Sequence, residues 1–291
     1  MKKDPTESVD FGDQQDVLAL VVRSFENAVR NAAEENDRLG IPSPAGVNGQ
    51  VVWVQASLTR EGTLEPILDE NPPSPGTTTT PWMWIVAGSN GAGKTTFTRE
   101  FLRNLGHPEL LGLNADERTQ RLLPRFPGTP LEEINLMAAQ QIDAEVLAAI
   151  RAGRSFLVET VLSSDKYRDD LLEAKSRGFR IGLIYVSLNP AELSPARVSV
   201  RVRKGGHDVD VERAIARHGR SHAQAAWFAQ LADTFIAFDN SSRERTPVLV
   251  ATKLMGEPLV HANPGVNPAM DVVVGAVEGS PLPSGTGDGV G

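Results

Sequence analysis

Gly88-Ser89-Asn90-Gly91-Ala92-Gly93-Lys94-Thr95 follows an apolar run over residues 82–87 and precedes a helical pattern over residues 95–105. The octapeptide fits G-x-x-x-x-G-K-[ST], and its setting between a strand and a helix is the one a phosphate-binding loop requires. Glycines let the backbone curl so that successive N–H groups converge on phosphate oxygens. The N-terminus of the following helix adds partial positive charge. In such a loop Lys94 reaches the β- and γ-phosphates, and the Thr95 hydroxyl ligates Mg²⁺.

Outward from this loop, apolar runs at 110–114, 155–159, 180–188, 234–238 and 247–251 alternate with helical patterns. One helix is expected to begin at Thr129-Pro130-Leu131-Glu132, with Thr129 as cap, Pro130 in the first turn and Glu132 closing a capping box. Strand–helix alternation predicts an α/β fold of the P-loop NTPase type: three layers, with a mostly parallel sheet between helices. Residues 14–38 read as one amphipathic helix. Asn48-Gly49 before Val51-Val52-Trp53-Val54 reads as a turn into a short strand. The expected segments are therefore three. Residues 1–75 are an N-terminal helix–hairpin extension, outside the catalytic unit and regulatory or antitoxin-like. Residues 76–254 are the P-loop domain. Residues 255–291 are an acidic, Gly/Pro-rich tail, expected to be flexible because it lacks Lys and Arg and is too polar to bury much surface. A linker is expected over residues 71–80.

Composition narrows the function classes. With no cysteine among 291 residues, disulfide scaffolds, thiolate metal sites and cysteine nucleophiles are excluded. A net charge of −8 argues against non-specific nucleic-acid binding, which needs a positive field. No apolar run has the length of a membrane span, and residues 1–11 carry no apolar segment like that of a signal peptide, so a cytoplasmic location is expected.

A P-loop alone leaves a GTPase, a motor and a small-molecule kinase open. The N-K-x-D guanine signature is missing, and Phe156-Leu157-Val158-Glu159-Thr160 carries one acid where a motor carries two. A kinase needs an acidic base, a substrate-holding element and arginines on the transferring phosphoryl group. Asp116, just past the second strand of the domain, is a candidate base; it reads equally well as a helix N-cap. Glu159, at a strand end beside the loop, is placed to meet Mg²⁺-bound water or substrate. Residues 197–220 hold seven Lys or Arg against three acids, a basic island in an acidic chain. That island suits a phosphate-facing lid hinged at Gly205-Gly206.

These residues together resemble the zeta toxins, also called UDP-N-acetylglucosamine kinases. The matching pieces are residues 88–97, Asn114-Ala115-Asp116-Glu117, Val158-Glu159-Thr160, the string R-V-x-x-R-V-x-x-G-G-H-x-V from Arg197 to Val209, and Asp239-Asn240-Ser241. The resemblance implies transfer of the ATP γ-phosphate to the sugar 3′-hydroxyl of a UDP-amino-sugar, which blocks cell-wall precursor synthesis. By position it makes Asp116 the base and assigns ATP and Mg²⁺ to the 88–96 loop, Thr96 included. It sets Glu159, Thr160 and Asp143 at the substrate, and Arg201, Arg217 and Arg197 on the phosphates. It also implies an antitoxin partner, or self-inhibition by the N-terminal extension. Two rival readings stay open: a P-loop kinase for another acceptor, such as an antibiotic or free sugar, and a non-catalytic nucleotide-binding module.

Overall fold

The computed structural model describes residues 11, 13–54, 80–105, 110–203, 210–242 and 246–279. The linker expected at 71–80 falls outside them, Thr80 excepted. So do Gly205-Gly206-His207-Asp208-Val209 and residues 280–291.

Seven strands form one sheet. In chain order they are β3 (Trp82–Gly88), β4 (Leu111–Asn114), β5 (Phe156–Thr160), β6 (Arg180–Ser187), β7 (Thr234–Asp239), β8 (Val248–Lys253) and β9 (Val260–His261). Across the sheet the order is β4-β5-β3-β6-β7-β8-β9. The first five are parallel, and β8 and β9 run antiparallel at one edge. Every residue of β3 is buried, as expected of a central strand covered on both faces.

Its alternating side chains sort into two cores. Met83, Ile85 and Ala87 face a cluster shared with α4 (Leu131–Arg151), α5 (Arg168–Ser176), α7 (Val211–Leu231) and α8 (Pro268–Gly279). Trp82, Trp84 and Val86 face a second cluster built with α1 (Gln14–Arg38) and α2 (Lys94–Leu105). The architecture is the three-layer α/β fold read from the alternation. No described helix is long and apolar enough to cross a membrane.

The N-terminal helix forms where its apolar spacing requires, capped by the Asp13 side chain, which accepts from Gln15 N at 2.7 Å. Its placement corrects the reading of a separate extension. Val17, Val21, Phe25 and Ala28 are buried in the second core. Phe25 packs edge-on to Phe97 at 5.5 Å and to Phe238 at 4.9 Å, and Phe11 lies over Trp82 and Trp84. A sheet with Trp82 and Trp84 on one face needs more cover than α2 supplies, and α1 provides it. The hairpin β1 (Ser43–Val47) and β2 (Gln50–Val54) turns at Asn48-Gly49, both at positive φ (49° and 74°). This is the backbone of a type I′ turn.

Two further expectations are corrected. Helix α4 has Pro130 as its N-cap residue with no side-chain cap, so the Thr129–Glu132 capping box does not form. Glu133 N and Ile134 N bond to Pro130 O instead. The segment of residues 255–279, expected to be flexible, is folded. Strand β9 joins the sheet, and Met270, Val273 and Val274 of α8 enter the first core. Its glycines serve as turns (Gly256 φ 84°, Gly265 φ 82°), and Asn267, fully buried, donates to Ser187 Oγ and Asp239 Oδ2.

Candidate active site

The loop from Gly88 to Gly93 sits at the carboxyl end of β3, where open α/β sheets bind ligands. Gly88 (φ 142°) could carry no side chain, since a Cβ would stand 2.1 Å from Val186 O. At Gly91 (φ 73°) it would stand 2.9 Å from Ser194 O and Arg197 Cβ. Three donors hold the loop's carbonyls. Lys94 Nζ bonds to Ser89 O at 3.0 Å, Ser194 Oγ to Asn90 O at 2.7 Å, and Asn240 Nδ2 to Ala92 O at 2.9 Å. Asn240 is steadied by its neighbours, because Asp239 accepts from both Ser241 N and Ser241 Oγ. Thus α6 (Leu193–Arg203) and the end of β7 shape the cradle from outside.

Behind the cradle lie two buried ionisable groups, Lys94 and Glu159. Thr95 Oγ1 donates to Glu159 Oε1 at 2.6 Å. Burial raises the Glu159 pKa, with Lys94 and the Thr95 hydrogen bond opposing the rise. Burial lowers the Lys94 pKa, with Glu159 and Asp116 opposing. Glu159 Oε2 is buried with no hydrogen-bond partner among the described residues.

Asp116 is on α3 (Ala115–Leu122) and is not its N-cap. Asn114 fills that position, accepting from Glu117 N at 3.2 Å, which leaves the Asp116 carboxylate for the cleft. A cavity of about 210 Å³ opens beside it, lined by Lys94, Asp116, Glu159, Thr160, Tyr167 and Arg217 among others. Thr160 Oγ1 accepts from Leu162 N at 3.0 Å and holds Leu162 at φ 54°, bending the chain around this cavity. Lys166, also on the wall, pairs with Asp143 at 2.7 Å. Asp143 itself does not line the cleft; it stands behind Lys166. Near this wall burial and the Asp143 charge push Asp170 up to about 6.

The cavity opens into a cleft of about 880 Å³ that contains the P-loop, Asp116 and Glu159 together with Arg197, Arg201 and Arg217. Burial brings Arg197 down to about 10, and its Nε donates to Pro44 O at 3.3 Å. Burial and the nearby Arg213 and Arg220 lower Arg217. The structure thus gathers all the expected site residues except Asp143 around one cleft. Arg213, Lys166 and Tyr167 were not expected there. Arg213 was legible in its i, i+4 spacing to Arg217; the other two lie on a loop with no signature. Among the described residues no cluster of three or more metal-ligating side chains occurs.

Comparisons with known proteins bear on the family and the fold. The model of the family described as Zeta toxin matches residues 65–249. An uncharacterized protein of Haemophilus influenzae is 29% identical over 133 residues, covering 43% of this chain and 89% of its own length. A chain of the AvrRxo1-ORF1:-ORF2 complex solved with ATP superposes with a TM-score of 0.52 at 17% identity, over 72% of this chain and 66% of that one. A chain from the PezAT toxin–antitoxin system of Streptococcus pneumoniae gives a TM-score of 0.49 at 19% identity, over 70% of this chain and 81% of that one. The AvrRxo1 likeness shows the fold. This chain spans 62–66% of the length of the AvrRxo1 chains it matches.

Proposed function

The chain belongs to the zeta toxin family of P-loop phosphotransferases, and from that premise we propose that it transfers the γ-phosphoryl group of ATP to a sugar hydroxyl of a UDP-amino-sugar. The observation that carries the reading is the convergence of Lys94, Asp116, Glu159 and Arg217 on a cavity that opens into the P-loop cleft. The acceptor oxygen attacks the γ-phosphorus, the bond from that phosphorus to the β,γ-bridging oxygen breaks, and ADP leaves. Asp116 takes the hydroxyl proton. Lys94, Arg201 and Arg217 stabilise the charge spread over the transferring group. Arg217, on both the acceptor cavity and the P-loop cleft, puts positive charge on the acceptor side, which suits a diphosphate-linked sugar; Lys166 there is paired with Asp143.

Thr95 and Glu159 fit Mg²⁺. Both present oxygen, and Glu159 Oε2 is buried and unmatched among the described residues. One or two oxygen side chains plus nucleotide phosphates is how this ion is commonly held. Bound there, it would neutralise charge on the β- and γ-phosphates.

A free sugar or antibiotic is the second reading, favoured by the small size of the acceptor cavity. An antitoxin partner is proposed from family membership alone. The test is incubation with Mg-ATP and a panel of UDP-sugars, free sugars and antibiotics, with products read by mass. A UDP-amino-sugar heavier by one phosphoryl group is the expected product. Phosphorylation of only a free sugar or antibiotic supports the second reading, and no phosphorylated product from any acceptor refutes both.

A further inference from the structure

The cleft continues past the P-loop to a wall made by the N-terminal helix and hairpin. Val29, Ala32 and Ala33 of α1 and Pro44 and Ala45 of β1 line it, on the same cavity as Gly91, Lys94 and Arg197. Residues 29, 32, 33 and 36 share one face of the helix. The small apolar side chains of Val29, Ala32 and Ala33 leave a shallow surface there, beside the polar Asn36.

This wall is anchored to the cradle. Gly46 N donates to Ser241 O at 2.8 Å, next to the Asn240 that holds Ala92 O. A Cβ on Gly46 would stand 1.9 Å from Asn189 O, so the hairpin backbone lies directly on the loop after β6. Arg197 Nε holds Pro44 O, and Asn36 Nδ2 ties α1 to β1 through Ser43 Oγ at 2.9 Å. Phe25 reaches to 3.8 Å from where a Cβ on Gly93 would be. The helix and hairpin therefore border the phosphate cradle and leave the cleft beside it open.

We propose that α1 and the β1–β2 hairpin form the seat for the base of the bound nucleoside triphosphate, so that the N-terminal segment is part of the nucleotide site. The chemistry of the wall suits a nucleobase: mostly small apolar side chains, with Glu35 and Asn36 as its polar members on α1, next to the cationic phosphate end. A bound base covers apolar surface on α1 and β1 that water otherwise meets. The proposal rests on the nucleotide reading of the P-loop above.

Inorganic tripolyphosphate separates the two. It offers the phosphates without the base, so it tests the cradle alone. Calorimetric titration of the full chain with ATP and with tripolyphosphate is expected to show tighter binding of ATP. Ala32→Trp fills the seat and should weaken ATP about tenfold while leaving tripolyphosphate affinity unchanged. Should Ala32→Trp lose its cooperative melt, Ala33→Leu is the milder replacement, with the same direction expected. Unchanged or tighter ATP binding in a folded variant overturns the proposal. A wild-type chain that binds neither ligand refutes the P-loop reading itself.

Discussion

Asp116 and Glu159 are carboxylates in one cleft with different surroundings, and their replacements should separate. Glu159 is buried against Thr95 and Lys94, whereas Asp116 stands on the first turn of α3 with Asn114 serving as the cap. Asp116→Ala should reduce turnover by about 10²–10⁴-fold, the usual worth of a positioned general base, with ATP affinity by calorimetry little changed. Retained turnover would remove Asp116 from the chemistry. Glu159→Gln keeps the shape and removes the charge. Its expected outcome is ATP binding that no longer responds to Mg²⁺, read by titration with and without the ion; an undiminished response would place the ion elsewhere. Of the two readings that the sequence allowed for Asp116, cap or base, only the position of Asn114 separates them. A cap is defined by which oxygen reaches the amide, and neighbouring acceptors look alike in a string of letters.

At the level of elements, α1 was legible to its ends because its apolar spacing and its breaker, Gly40 (φ 65°), are local properties. What α1 packs on was not legible. Phe25 is fully buried between Phe97 and Phe238, so Phe25→Ala should cost about 3–5 kcal/mol by chemical denaturation, the range for removing a core aromatic. A loss below about 1 kcal/mol would mean that α1 is only loosely attached. The hairpin makes a sharper case. Gly46 meets Asn189 O so closely that Gly46→Ala must displace backbone, and it should lower the melting temperature and loosen ATP binding together. If melting drops while ATP affinity holds, the hairpin supports the fold without touching the nucleotide.

Across the whole molecule, a buried polar network joins the sheet to the C-terminal helix. His222 Nε2 pairs with Ser187 Oγ at 2.8 Å. Asn267 Nδ2 bonds to that same Ser187 Oγ and to Asp239, and His218 Nε2 meets Leu188 O at 2.7 Å. Burial and the neighbouring His218 push His222 down to about 4. The folded state therefore disfavours the protonated ring. Its contribution to stability is complete above the unfolded value of about 6.5 and is lost as pH falls from there through about 4. The full span corresponds to about 3 kcal/mol. Melting scans between these pH values should show a steeper acid loss in the wild type than in His222→Gln; parallel curves would show that the ring stays neutral in both states or charged in both. Removing residues 255–279 would take Asn267 out of this network and Met270, Val273 and Val274 out of the first core, a role that their composition conceals.

The P-loop, the parallel sheet and the identity of most cleft residues were written in the sequence, because each depends on short spacings: a glycine turn, an apolar run, a carboxylate one step past a strand. Two matters belonged to the tertiary structure alone. The N-terminal helix and hairpin are a wall of the P-loop cleft, and Met270, Val273 and Val274 of α8 enter the first core. Both follow from long-range burial, since a sheet face bearing two tryptophans and an antiparallel edge must be covered by whichever segments the chain can return to them. No local pattern records which segments those are.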